Sequence, residues 1–119
     1  MSVITRNLMM AASGSTGPSD HVFLALTDKL IAFNVVDPTT PTIASSIEYG
    51  GLTYIDNDLV YSSKSKHIFA TSFTPLAGVV SFDVSDPTSM SVSGEYDTTE
   101  RPSGLALNEE SNILYSVDI

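Results

Sequence analysis

The sequence predicts an all-β chain of tandem, four-stranded antiparallel repeats, and three observations lead there. Short runs rich in Val, Ile, Phe, Tyr, Thr and Ser are bounded by Asp, Pro, Gly and Asn at intervals of about ten residues, which is the signature of short strands between turns. Leu30-Ile-Ala-Phe-Asn-Val-Val-Asp37-Pro38-Thr39 lines up without a gap on Val79-Val-Ser-Phe-Asp-Val-Ser-Asp86-Pro87-Thr88, a period of 49. A second series, His21-Val-Phe-Leu-Ala, His67-Ile-Phe-Ala-Thr and Asn112-Ile-Leu-Tyr-Ser, recurs at 46 and then 45 residues. A unit of this size holding four strands is the sequence pattern of a β-propeller blade, so about two blades are present, incomplete as a ring on their own. A β-sandwich also turns every ten residues, but it gives no reason for Asp-Pro-Thr to return in register with a phenylalanine four residues ahead of it.

Three regions follow from composition. Residues 1–13 form an N-terminal tether or attachment segment. Residues 14–20, Gly14-Ser-Thr-Gly-Pro-Ser-Asp20, are small turn formers and read as a linker. Residues 21–119 carry the propeller-type repeats. Within the complete unit the strands are expected at Leu59 to Ser63, Ile68 to Ser72, Gly78 to Val84 and Ser91 to Tyr96. Leu59-Val-Tyr-Ser-Ser and Gly104-Leu-Ala-Leu-Asn, 45 apart, add a third register. Lys64-Ser-Lys66 and Asn108-Glu-Glu-Ser111 are polar hairpin tips between first and second strands. The Asp-Pro corner separates the third strand from the fourth. Proline fixes φ at the corner, the preceding Asp is pushed toward extended geometry, and its carboxylate can accept the amide two residues on.

Charge and composition exclude several classes. Fourteen acidic residues against five basic ones give a net charge of −9, which repels phosphate backbones, so nucleic acid is not an expected partner. The longest apolar runs, such as Val22 to Leu26, fall far short of the roughly 20 residues that cross a bilayer, so no membrane partner is expected. There is no cysteine, hence neither a disulfide framework nor thiolate chemistry. Thr5, Arg6 and Asn7 interrupt the apolar stretch that a signal peptide needs, so the N-terminus reads as retained.

The sequence has no Gly-x-Ser-x-Gly, no phosphate loop ending in Gly-Lys and no His-Glu-x-x-His. The chain reads as a non-enzyme with no catalytic, cofactor-binding or metal residues and no cofactor. His21 and His67 hold matching places in successive units, which would keep them apart rather than on one metal. Asp56-Asn57-Asp58 is the best cation candidate, yet it lacks the glycine and distal glutamate of a calcium loop and reads first as a solvated turn. Asp37 and Asp86 each cap their own corner and do not form a carboxylate pair. Phe23, Phe69, Phe33 and Phe82 recur with the period and are expected in the core.

Two resemblances extend this reading. Val79-Val-Ser-Phe-Asp-Val-Ser-Asp-Pro resembles the LVIVD-type β-propeller repeat, whose strand ends in Asp-Val-Ser-Asp-Pro; Phe33-Asn-Val-Val-Asp-Pro matches it less closely. Met1-Ser-Val-Ile-Thr-Arg-Asn-Leu-Met-Met-Ala-Ala-Ser-Gly14 resembles the opening of virion structural proteins of tailed bacteriophages. The resemblance implies a non-catalytic virion component of the tail, fibre or head-to-tail region, located in the particle. It would attach to other virion proteins through its N-terminus and present a β-rich spacer or recognition module. Ile4, Leu8, Met9 and Ala12 fall near one face at helical spacing, which suits docking into a groove of another subunit; a frayed terminus with few contacts is the alternative. The competing function is a bacterial surface or secreted propeller fragment that binds protein or glycan.

Counting from Val22 gives three strands, then four, then two. Ile113-Leu-Tyr-Ser-Val-Asp-Ile119 then presents an apolar edge without a partner. Either the natural polypeptide continues, which is slightly favoured, or copies complete each other in a homo-oligomer such as a trimer.

Overall fold

A computed structural model of the chain describes residues 20–52, 58–73, 77–98, 100 and 102–118. The tether and most of the linker lie outside the described residues. Among the described residues there are nine strands and no helix. β1 (His21–Ala25), β2 (Lys29–Asn34) and β3 (Thr42–Glu48) form a first antiparallel sheet in chain order. β4 (Leu59–Ser62), β5 (His67–Ser72), β6 (Gly78–Asp83) and β7 (Ser91–Asp97) form a second. β8 (Pro102–Asn108) and β9 (Ile113–Asp118) form a two-stranded third. The all-β expectation and the count of three, four and two strands agree with this order. β8 starts two residues ahead of the expected Gly104, at Pro102, the strand-opening position where a missing N–H costs no ladder bond.

The first two sheets share one register. β1 and β2 pair His21 with Asn34 and Val22 with Phe33, while β5 and β6 pair His67 with Asp83 and Ile68 with Phe82. β2 and β3 shift register between Ala32 and Phe33; β6 and β7 shift between Ser81 and Phe82, the corresponding step. Such a bulge strengthens the local twist of the outer strand.

The Asp-Pro corners share three bonds, and the Asp37 corner adds a fourth, from the Thr40 hydroxyl to Asp37 Oδ2 at 2.8 Å. Asp37 Oδ1 accepts the Thr39 amide at 3.0 Å and the Thr39 hydroxyl at 2.6 Å; Asp86 Oδ1 accepts the Thr88 amide and hydroxyl at the same distances. The carbonyls of Asp37 and Asp86 accept the Thr40 and Ser89 amides at 3.1 and 3.0 Å. Each aspartate therefore closes its own turn. These bonds favour the charged carboxylate and hold both pKa values below the ordinary 3.8, with the threonine hydroxyls the leading cause.

The third sheet corrects the expected spacing by one residue. β4 pairs Leu59 with Ala70 and β8 pairs Leu105 with Ser116. The hairpin tips end on the left-handed residues Lys66 (φ 55°) and Asn112 (φ 62°), each directly ahead of its strand. Asn112 thus matches Lys66, not His67, and Leu105 matches Leu59 where Gly104 was expected. The interval is 46 rather than 45. In a strand a one-residue slip moves every side chain to the opposite face, so the difference decides which residues look inward.

The core lies between the first and second sheets. Phe23, Ala25, Leu30 and Ala32 on one face of the first sheet meet Ile68, Ala70, Val80 and Phe82 on one face of the second. Aromatic contacts cross the seam: Phe23 stacks on Tyr61 with ring centroids 6.2 Å apart, and the Tyr49 ring meets Phe82 edge-on at 5.7 Å. The Ser45 hydroxyl donates to the Pro87 carbonyl at 2.6 Å, and the Phe73 amide to the Gly51 carbonyl at 3.1 Å.

Candidate interaction surface

Because successive strand residues point to opposite faces, each sheet has two faces of different fate. In the first sheet the Phe23 face is covered by the second sheet, whereas Val22, Leu24, Phe33, Val35 and Pro41 line an open apolar hollow of about 290 Å³ on the other side. In the second sheet the Phe82 face is covered by the first. On its opposite face Phe69, Val79, Ser81 and Tyr96, with Leu114 of β9, line a groove of about 470 Å³. The expected core aromatics divide accordingly. Phe23 and Phe82 are buried, at 1% and 0% exposure, but their register partners Phe69 and Phe33 are only half-buried. The expectation that all four are core residues is corrected for Phe33 and Phe69: the periodic position is inward only where another sheet lies over it.

The third sheet is held against the second by polar contacts near its two ends. At one end the Asp58 carboxylate accepts the Leu59 amide at 2.8 Å through Oδ1 and the Leu105 amide at 2.9 Å through Oδ2. The Asp58 amide donates to the Thr71 hydroxyl at 2.7 Å. Asp58, part of the expected cation candidate, thus has both carboxylate oxygens on backbone amides, one of them in the neighbouring sheet; Asp56 and Asn57 lie outside the described residues. At the other end Glu109, in the β8–β9 turn, accepts the Ser62 hydroxyl at 2.8 Å and the Lys64 amide at 3.0 Å, while the Lys64 ammonium reaches the Glu109 carbonyl at 3.3 Å. The Lys64 amide, followed by the Ser62 hydroxyl, holds the Glu109 pKa below the ordinary 4.5. This latch was not legible in the sequence, where Glu109 and Glu110 read alike as tip residues. Its partners sit 45 to 47 residues away, beyond any local pattern.

The histidines are placed apart in use as well as in sequence. His67 Nδ1 lies 2.7 Å from the Ser65 carbonyl, which can only accept, so that nitrogen carries the donated proton; Nε2 meets the Ser93 hydroxyl at 3.1 Å. A charge on His21 is the last of the causes that lower the Asp86 pKa, after the Thr88 hydrogen bonds. Among the described residues no three His, Asp or Glu side chains gather as a metal site. Burial raises the pKa of the Tyr49 and Tyr61 hydroxyls, with Glu95 and Glu109 as the respective nearby charges.

Apolar side chains outside the core concentrate on the two uncovered faces and on β9, where Ile113, Tyr115 and Val117 are exposed. β9 pairs only with β8, leaving its second edge without a strand partner among the described residues. No protein-family model matches the chain, and no match to a curated protein was found.

Proposed function

We propose that the chain is a non-catalytic structural component of a tailed-phage virion, attached through residues 1–13 and presenting β-propeller-type repeats as a spacer or recognition module. The observation that carries the structural half is the shared register of the first two sheets, with the same bulge step and the same Asp-Pro-Thr corner. Identical hairpins packed face against face are how propeller blades follow one another. The virion half rests on the resemblance of Met1 to Gly14, which lies outside the described residues. The uncovered apolar faces support a module that works by contact with other proteins. Mass spectrometry of purified virions tests the reading: a stoichiometric 12.7 kDa component, or a longer product containing this sequence, is the expected result. Recovery from the host cell surface and not from particles would overturn it in favour of a bacterial surface propeller.

A further inference from the structure

The two faces left uncovered among the described residues correspond, position for position, to the two sides of the seam the chain already forms. Val22, Leu24 and Phe33 stand at the register positions of Ile68, Ala70 and Phe82, which the second sheet buries against the first. Phe69, Val79 and Tyr96 stand at the positions of Phe23, Leu30 and Ile47 on the other side of that seam. One molecule therefore displays both halves of an interface whose closed version lies in its own core. The second half is only partly occupied: the β8–β9 pair leaves the groove bounded by Phe69, Val79 and Tyr96 open, with Tyr96 71% exposed.

We propose that the chain associates head to tail with copies of itself, the Phe33 face of one molecule seating in the Tyr96 groove of the next. The inference rests on the blade-like reading of the sheets and adds the identity of the partner. Because the two surfaces differ, the contact is heterologous and leaves one free face at each end, so it builds rings or open stacks rather than stopping at a symmetric dimer. The contact is apolar while each copy carries a net charge of −9, so mutual repulsion opposes it and added salt strengthens it. An association built on surface ion pairs would show the opposite dependence.

The test uses the 119-residue chain in sedimentation velocity across a concentration series, with two variants, each damaging one face. Ile43 stands opposite Phe33 on the open face and is 64% exposed, so both Ile43→Asp and Tyr96→Asp change solvated positions outside the core. The wild type is expected to form species larger than dimers, increasingly with salt. Each variant alone stays monomeric with an unchanged far-UV spectrum. Their equimolar mixture forms a dimer and nothing larger, because each retains the face the other lacks. A monomeric wild type at all concentrations, a variant that associates like the wild type, or a mixture without the dimer overturns the proposal. Cross-strand nuclear Overhauser contacts between Val22 and Phe33 and between Ile68 and Phe82 separate the two readings: with these present and no association, only the docking fails; without them, the blade-like reading fails too.

Discussion

Phe82 and Phe33 offer a matched test of what burial contributes, since they share register, neighbours of the same kind and the same Asp-Pro corner four residues on. Phe82 is 0% exposed and touches the Tyr49 ring, whereas Phe33 lies on the open face. Truncating Phe82 to alanine removes a fully buried ring, worth about 1.5–3 kcal/mol in transfer, and leaves an enclosed cavity that raises the total to about 3–5 kcal/mol. At Phe33 roughly half of the transfer contribution is at stake and no closed cavity forms, so about 1 kcal/mol is lost. For a chain of this size each kcal/mol moves Tm by roughly 3–6 °C, so Phe82→Ala is expected to lower it by about 10–30 °C and Phe33→Ala by about 5 °C. The chain has no tryptophan, so urea and thermal unfolding are followed by tyrosine fluorescence and far-UV circular dichroism, at protein concentrations low enough to exclude association. Equal losses for the two variants would refute the assignment of one covered and one open face. A larger loss at Phe33 would reverse it.

Gly78→Ala drives a Cβ into the Tyr96 carbonyl oxygen, so β7 must move; a loss of about 1–3 kcal/mol is expected by thermal melting, against no loss for Gly104→Ala, where the added carbon meets nothing within 4 Å. Asp58→Asn turns one accepting oxygen into a donor facing either the Leu59 or the Leu105 amide, and about 1–2 kcal/mol should be lost, with faster hydrogen exchange at Leu105 as the site-specific readout. Glu109→Ala is expected to loosen the β8–β9 pair selectively, seen as increased exchange in β8 and β9 with the β1–β3 amides unchanged. Asp37, Asp83, Asp86 and Glu109 all have folded pKa values below their ordinary 3.8 or 4.5. Their stabilisation is therefore present in full above the ordinary values and is lost as pH falls through the lower folded ones. Melts should hold steady down to about pH 5 and then fall, and Asp86→Asn should flatten part of that acid slope.

Local sequence determined the strands, the corners and their order. β-branched and aromatic runs specify extended backbone. Proline and aspartate specify a turn whose bonds span two or three residues, so Asp37 and Asp86 could be assigned their caps before any packing was known. The number of strands in each group followed from the same short-range signals. Spacing was less secure where composition drifts. Asn112 and His67 looked alike beside similar apolar runs, and only the left-handed tip residue and the pairing of Leu105 with Ser116 showed that Asn112 matches Lys66.

Burial was decided by tertiary structure alone. Phe23, Phe69 and Tyr115 occupy one register position in three sheets, yet they run from 1% exposed through half-buried to 53% exposed. Nothing in their neighbouring residues distinguishes them, because a side chain's exposure depends on what lies over the sheet and not on the strand that carries it. The Asp58 and Glu109 contacts have the same origin: they join residues 45 to 47 apart that become neighbours only once one sheet has packed on the next. Hydrogen bonding along a strand is a short-range property that composition can encode, whereas the closing of a face requires a second surface, whose arrival the local sequence does not record.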